Sequence, residues 1–288
     1  MIIYHADDYG INIKQSKRIL ECHEKGILNS CSVVPNSPQL KECMDILDEN
    51  MLVSVHINFV EGICCADPKT IPLLVDREGK FKVSYCKMMW LSIIKPFTLR
   101  KQIRQECISQ IKRVCQYIKP GEQLRIDSHM HYHMIPVVFR GLCDACKDID
   151  IDVEYIRWPL EPFQPFLAHK EIWKKISWVN IVKSILLHIF GLINYPALVR
   201  AGLKKKRAIF FGIMFTGKMY YETVSYLLDD FIELARTKSM DLEVLFHPGA
   251  IYDGEIYLDT KYKEFYQMKN RMLEGETLLR LNRYKDED

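Results

Sequence analysis

Short apolar runs alternate along the chain with longer segments that carry apolar residues at helical spacing. Runs of the first kind are typical of buried strands, and segments of the second kind are typical of amphipathic helices. Seven strands are predicted, at Ile2–Ala6, Ser30–Val34, Leu52–Ile57, Leu124–Ser128, Val153–Arg157, Ile209–Ile213 and Leu242–Phe246. The predicted helices are Ile13–Glu24, Pro38–Glu49, Arg100–Ile118, Val137–Asp148 and Tyr220–Thr237. This alternation favours an α/β fold, and we predict a distorted, incomplete (β/α) barrel of parallel strands.

Composition narrows the class of protein further. The chain has 288 residues, and its 48% apolar content is enough for a large core, which excludes a disordered protein. Forty basic residues against 37 acidic ones leave a net charge of only +3, so no strong positive field is available to bind nucleic acid. We predict one domain over residues 1–288, because α/β barrels commonly reach about 250 residues.

The cysteines and the first residues bear on the cellular location. Ten cysteines are scattered along the chain, a pattern typical of free thiols in a reducing compartment. The apolar stretch Met1–Tyr4 is too short for a signal peptide and leads directly into an acidic pair. Both features favour a cytoplasmic protein.

Polar side chains recur at the carboxyl ends of the predicted strands. In parallel α/β folds this edge of the sheet forms the ligand site. The residues in question are Asp7 with Asp8, His56 with Asn58, Asp127 with His129, Arg157, and His247. We therefore expect these side chains to converge on one cavity.

The adjacent carboxylates Asp7 and Asp8 close the first predicted strand. Neighbouring side chains on a strand point to opposite faces, but a bend through Gly10 would let both reach one pocket. One carboxylate would then bind a metal ion while the other acts as a base. The structural alternative is an acidic turn that caps the following helix.

A run of histidines follows the fourth predicted strand. If the chain stays extended, Asp127, His129, His131 and His133 share one face, and the first and last of the three histidines lie about 13 Å apart. A single metal ion cannot bind all three imidazoles at that spacing, so one is expected to be a ligand while the others line the cleft. His56 and His247 alone could be ordinary core and turn residues.

Residues 158–207 interrupt the alternation and are predicted to form a helical insertion. A helix is expected over Glu171–Phe190, with Ile172, Ile176, Val179, Val182, Leu186 and Ile189 on an apolar face and Lys174, Ser177, Ser184 and His188 opposite. The basic run Lys204–Arg207 follows. The insertion would cover the barrel mouth, form a homodimer contact, or bring residues 171–207 to the inner face of an anionic membrane.

Four signatures in order resemble the YdjC-like carbohydrate deacetylase family, which includes the chitooligosaccharide deacetylases. They are Ala6–Gly10, Val55-His56 followed by Glu61-Gly62, Asp127–His133, and His247-Pro248-Gly249. The resemblance covers residues 1–160 and 208–281. The segment between these ranges has no clear counterpart, and His5 replaces a common Asn of the family.

The resemblance implies a metal-dependent hydrolase that removes the acetyl group of an N-acetylated amino sugar, either oligosaccharide or lipid-linked. It implies one divalent ion, magnesium or zinc, held by Asp8, His56 and His129. By similarity Asp7 would be the general base and His247 the general acid. Supporting or substrate-binding roles are expected for Asp127, His131, His133, Arg157 and Asn58.

Other functions remain open on the sequence. Clustered histidines on α/β barrels also serve metal-dependent phosphoesterases and amidohydrolases, which generally use two ions and more ligands. Two histidines with one carboxylate also suit a non-haem iron oxygenase, although that chemistry is usual in all-β folds. A non-catalytic protein that binds a carbohydrate or a lipid carrier is a further alternative.

Overall fold

All seven predicted strands are present in the computed structural model, which describes residues 1–119, 123–149, 151–203 and 206–284. They pair in parallel in the order β5-β4-β3-β2-β1-β7-β6 and form a curled half-barrel surrounded by helices. The predicted fold class is therefore confirmed. The strands are β1 (Ile2–Tyr9), β2 (Ser30–Val33), β3 (Leu52–Ile57), β4 (Leu124–Ser128), β5 (Val153–Ile156), β6 (Ala208–Phe211) and β7 (Asp241–Phe246).

The helices surround the sheet on its outside. They are α1 (Ile13–Glu24), α2 (Leu40–Asp45), α3 (Tyr85–Ile94), α4 (Pro96–Cys115), α5 (Pro136–Asp148), α6 (Gln164–Leu167), α7 (Lys170–Trp173), α8 (Trp178–Arg200), α9 (Tyr221–Lys238), α10 (Lys263–Gln267) and α11 (Lys269–Arg280). Five correspond to helices predicted outside the insertion. Helix α1 shows why its start was predictable, since the Asn12 side chain accepts a hydrogen bond from the Gln15 amide at 2.8 Å.

Strand β1 extends three residues beyond its predicted end and contains both acidic residues. Its pairing with β2 changes register between Ala6 and Tyr9, and Asp8 adopts a left-handed backbone with φ of 68°. Aspartate tolerates this conformation better than most residues. The irregularity rotates Asp8 relative to Asp7, so two adjacent carboxylates face one cavity. The turn therefore begins at Asp8 itself and not only at Gly10.

The prediction that the histidine run stays extended is wrong beyond Ser128. Strand β4 ends there, and His129–Met134 forms a short 3₁₀ segment in which Met130 and His131 have φ of 51° and 55°. Two consecutive left-handed residues turn the chain sharply. The three histidines therefore point into different surroundings and do not share the face of a strand.

The insertion lies between β5 and β6, the two edge strands of the sheet among the described residues. The single predicted helix Glu171–Phe190 is wrong, because the chain forms α7 and then, after a break, the much longer α8. Helix α8 packs on α5 and on the 3₁₀ segment after β4. Lys204 and Lys205 of the predicted basic run lie outside the described residues.

The faces of α8 differ from a simple apolar-inside arrangement. Ser184 is buried, whereas Val179, Val182 and Ile189 are about half exposed. By length and composition α8 is the one helix in the described ranges that could cross a membrane.

Candidate active site

Three potential metal ligands meet at the carboxyl edge of the sheet. Asp8, His56 and His129 each offer one ligand atom, and these atoms all lie within 4.8 Å of one another. The residues come from β1, the end of β3 and the turn after β4, and all three side chains are buried. The structure therefore brings together the trio that the family resemblance implies.

His56 is oriented as a metal-binding histidine would be. Its Nδ1 donates a hydrogen bond to Asp127 Oδ1 at 2.6 Å, while its Nε2 is buried without a hydrogen-bond partner and lies 3.4 Å from Asp8 Oδ1. Metal-binding histidines almost always donate their second nitrogen to such an acceptor. Burial lowers the pKa of His56, but Asp7 and Asp127 together raise it to about 10. An orphaned nitrogen in a strongly anionic pocket fits a divalent cation.

Asp8 lies between a histidine and an arginine. Its Oδ1 is 2.9 Å from His129 Nδ1, and its Oδ2 accepts a hydrogen bond from Arg271 Nη2 at 2.7 Å. Burial raises the pKa of Asp8, but His129 and Arg271 more than offset this and hold it well below its usual range. Asp8 is therefore an ionised carboxylate, the state that a metal ligand requires.

Asp7 belongs to the same cavity and has different partners. Its Oδ1 accepts hydrogen bonds from Arg157 Nη1 at 2.8 Å and from Ser32 Oγ at 3.0 Å. Ser32 Oγ is also 2.9 Å from His56 Nδ1, so one hydroxyl joins Asp7 to a potential metal ligand. Burial raises the pKa of Asp7, but Arg157 and His56 lower it well below its usual range.

Arg157 is fully buried and contacts three carboxylates. Besides Asp7, its Nη2 lies 2.9 Å from Asp127 Oδ2 and its Nε donates to Glu243 Oε1 at 2.6 Å. His5, Asp7 and Asp127 form a second cluster with metal-binding geometry. The Arg157 guanidinium already pairs with Asp7 and Asp127, the two carboxylates of this second cluster. Because their negative charge is offset by that cation, the geometry favours one metal ion over two.

His247 faces Asp7 from the other side of the cavity. Its Nε2 is 3.8 Å from Asp7 Oδ2, and its side chain is 19% exposed. Glu274 on α11 accepts a hydrogen bond from the His247 amide at 2.6 Å and lies 3.6 Å from its Nδ1. A carboxylate behind the imidazole holds the ring in place.

The remaining predicted site residues have mainly structural contacts. Asn58 donates to Asn36 Oδ1 at 3.0 Å and so shapes the loop after β3. His133 lies between Ser128 Oγ at 2.6 Å and the Arg157 carbonyl at 2.9 Å, and burial lowers its pKa to about 4. His131 is buried with Nδ1 unpartnered, and burial holds its pKa well below its usual range.

Several site residues had no signal strong enough to be predicted. Arg271 and Glu274 reach the cavity from α11, a polar helix near the other end of the chain. Ser32 lies on β2, where a serine is unremarkable. Glu243 did carry a signal, because a carboxylate inside the apolar run of β7 requires a buried partner.

These features define a class of protein: an α/β half-barrel with a candidate metal site beside a neighbouring carboxylate and imidazole, Asp7 and His247. A sequence profile described as YdjC-like protein matches residues 1–280, so the chain belongs to the YdjC-like family.

Individual relatives agree with this assignment. The chain is 29% identical over 157 residues to a carbohydrate deacetylase of Clostridium beijerinckii, covering 54% of this chain and 60% of that one. It is 29% identical over 133 residues to a carbohydrate deacetylase of Thermoanaerobacter pseudethanolicus, covering 45% of this chain and 50% of that one. The chain thus spans only about half to 60% of these relatives. The crystal structure of an Enterococcus faecalis protein described as a cellobiose-phosphate cleavage protein shares the fold, with a TM-score of 0.64 and 18% identity. The match covers 99% of this chain and 93% of the Enterococcus protein.

Proposed function

We propose that this protein is a metal-dependent carbohydrate deacetylase that hydrolyses the acetamide of an N-acetylated amino sugar. The observation that carries the proposal is the position of Asp7 and His247. They face each other across 3.8 Å beside the cluster of Asp8, His56 and His129. The names of the curated relatives support this reaction class.

Asp8, His56 and His129 would hold one divalent cation. When bound, such an ion supplies Lewis-acid chemistry, lowering the pKa of water and polarising a carbonyl oxygen. Two imidazoles and one carboxylate suit zinc, magnesium or another divalent metal.

Asp7 is suited to accept the proton of the attacking water. Arg157 and His56 hold the pKa of Asp7 low despite burial, so the carboxylate is ionised and available as a base. Arg157 also fixes its orientation through hydrogen bonds to both oxygens, at 2.8 and 3.0 Å. This positioning means that no reorganisation is needed when the proton moves.

His247 is suited to protonate the leaving nitrogen. It lies opposite Asp7 and is partly exposed, so it can exchange protons with solvent between turnovers. Attack of water on the acetyl carbon, with its proton taken by Asp7, and cleavage of the C–N bond, with a proton given by His247, yield acetate and a free amino sugar.

Phe265 is a candidate contact for the sugar ring. It is 39% exposed, lies edge-on to His129 with 6.4 Å between ring centroids, and has the Arg271 guanidinium 4.7 Å from its own centroid. An exposed aromatic ring beside the proposed metal site offers an apolar platform for a sugar face.

An acetate-release assay tests the proposal. The protein is stripped with a chelator, reloaded with single divalent ions, and incubated with N-acetylated mono-, oligo- and lipid-linked sugars. We expect release that requires metal, at a metal-to-protein ratio near one. Metal binding without acetate release from any of these sugars would refute it and favour the carbohydrate-binding alternative. A ratio near two with phosphate-ester hydrolysis would instead favour the phosphoesterase alternative.

A further inference from the structure

Helix α8 has its polar side chains turned toward the protein. Asn194 Nδ2 donates to the Met134 carbonyl at 2.7 Å, and Asn180 Nδ2 donates to the Met214 carbonyl at 3.0 Å. Both acceptors follow strands at the carboxyl edge of the sheet, so α8 lies at the same edge as the candidate site. The side chains on this inner face that are buried or partly buried include Asn180, Lys183, Ser184, His188 and Asn194.

The outer face of α8 is almost entirely apolar. Trp178 is 73% exposed and Leu192 is 78% exposed, and Arg200 at the last position is the one charged residue among the exposed side chains of this fully described helix. The stripe extends about 32 Å along the helix. We call it the α8 outer face; it consists of Trp178, Val179, Val182, Ile185, Ile189, Leu192, Ile193 and Val199.

The arrangement of polar and apolar side chains on α8 is the reverse of that on a helix that faces water. A surface helix of a soluble protein turns its polar side toward solvent, and continuous exposed apolar stripes mark contact sites. The inner face cannot turn outward, because its buried Asn194 and its partly buried Asn180 donate hydrogen bonds to main-chain carbonyls of the barrel. The α8 outer face therefore needs an apolar environment outside the protein.

Charges at both ends of the stripe indicate which environment that is. Exposed basic residues lie at both ends of α8: Lys170, Lys174 and Lys175 before it, and Arg200, Lys206 and Arg207 at its end or beyond. Glu171 is the exposed acidic residue in the same described stretches. Lys206 also pairs with Glu154. Basic residues that flank an apolar helical face favour an anionic lipid surface.

A second copy of the chain fits this surface less well. In a symmetric dimer the same face of each subunit meets, with the two helices either parallel or antiparallel. Because both ends of α8 are basic, either arrangement brings positive charges together, and like-charge contacts oppose association. An anionic bilayer meets the same charges with attraction.

We propose that the α8 outer face docks this protein on an anionic lipid bilayer, with α8 lying in the interface and not crossing it. The hydrogen bonds of Asn180 and Asn194 keep the inner face on the barrel, so lipid contacts one side of the helix only. Docking in this way brings the carboxyl edge of the sheet, where the candidate site lies, toward the headgroups. Lipid binding through this face is independent of the chemistry proposed for the site.

Vesicle sedimentation with the full chain tests the proposal. The protein is mixed at low salt with vesicles of phosphatidylcholine alone or with added phosphatidylglycerol. We expect partitioning onto the anionic vesicles that weakens with salt. The triple variant Ile185→Gln, Ile189→Gln and Leu192→Gln should lower the partition coefficient about 100-fold. Lys174→Gln with Lys175→Gln should lower it about 25-fold on anionic vesicles.

A matched control uses another exposed apolar cluster. Trp90, Ile93 and Phe97, near the junction of α3 and α4, are 57%, 77% and 86% exposed. Their triple glutamine variant should bind vesicles like the native chain, and circular dichroism melting should show that all variants are folded.

Three outcomes would overturn the proposal. The first is a native chain that does not partition. The second is loss of binding in the control variant with retention in the α8 variant. The third is a dimer in light scattering that the α8 substitutions dissociate, without vesicle binding.

Discussion

Replacement of Arg157 by glutamine removes a positive charge that contacts three buried carboxylates. The guanidinium donates to both oxygens of Asp7, at 2.8 and 3.0 Å, and lies 2.9 Å from Asp127. Its Nε donates to Glu243 at 2.6 Å. Glutamine offers two N–H donors without charge, so at least two of these contacts are lost.

The expected magnitudes follow from this burial. Breaking a buried ion pair by removing one partner costs about 3–5 kcal/mol of unfolding free energy. An opposite charge at contact distance lowers a carboxyl pKa by about 1–3 pH units, so without Arg157 the pKa of Asp7 should rise by a similar amount. Burial acts in the same direction on Asp7. Since a base must be ionised, the acidic limb of the rate profile should move upward by about 1–3 pH units.

The assay is the pH dependence of kcat/KM for acetate release, combined with urea unfolding. Arg157→Lys serves as a second variant, because it keeps the charge but cannot reach all three carboxylates with one ammonium group. It should lose rate while its acidic limb stays near that of the native protein. Arg125→Gln is the matched control; Arg125 is also buried, pairs with Glu154 at 3.3 Å and stacks on Tyr155.

Two results would refute this reasoning. One is a folded Arg157→Gln protein whose acidic limb coincides with the native one. The other is an equal movement of that limb in Arg125→Gln, which would make the effect a general consequence of lost stability. If Arg157→Gln does not fold, the lysine variant decides, because an unchanged rate would show that the three-way contact has no role in turnover.

Three further predictions test the site. Asp8→Ala should abolish metal binding and acetate release together, whereas Asp7→Asn should retain metal and lose at least about 100-fold in turnover; metal analysis after dialysis distinguishes them, and near-native turnover of Asp7→Asn would contradict its role as base. Burial lowers the pKa of His133 to about 4, below its unfolded value, so its contribution to stability is present above pH 6.5 and is lost as the pH falls toward 4. Between pH 7 and pH 5 the unfolding free energy measured with urea should fall by about 2 kcal/mol because of His133. The fall should be smaller in His133→Asn, and an equal fall in that variant would contradict the role of His133. Phe265→Ala should raise KM about 5-fold while kcat changes little; a lower kcat at constant KM would exclude a sugar-binding role.

Much of the fold was predictable because parallel strands buried on both faces appear as short apolar runs. All seven strands were found with ends within a few residues, and β3 and β4 match in full. Helices α3 and α11 were missed, since the first is apolar around much of its surface and the second is mostly polar. Periodicity detects a helix only when its faces differ clearly.

The site was predictable as far as the sheet determines it. Strand ends of a parallel sheet meet at one edge, which is why Asp8, His56 and His129 could be expected together. Arg271 could not, because it contacts Asp8 from 263 positions along the chain and no local pattern connects them. The left-handed turn at His131 was also invisible to an argument from alternation.

The pattern of α8 illustrates a different limit. Amphipathicity identifies two faces of a helix but not which of them meets the barrel, and here buried Ser184 lies on the polar face. The main-chain carbonyls that need donors decide the orientation, and these become apparent only once the sheet has curled.

The contacts of Arg157 also bear on the shape of the barrel. Arg157 follows β5, while its partners Asp7, Asp127 and Glu243 lie on β1, β4 and β7. These contacts cross the lumen and tie one end of an unclosed sheet to strands near the opposite end. The guanidinium thus connects distant strands inside the barrel and helps to set the curvature of the half-barrel. A substitution there alters the width of the cavity as well as its charge, so shape and reactivity are expected to evolve together at this position.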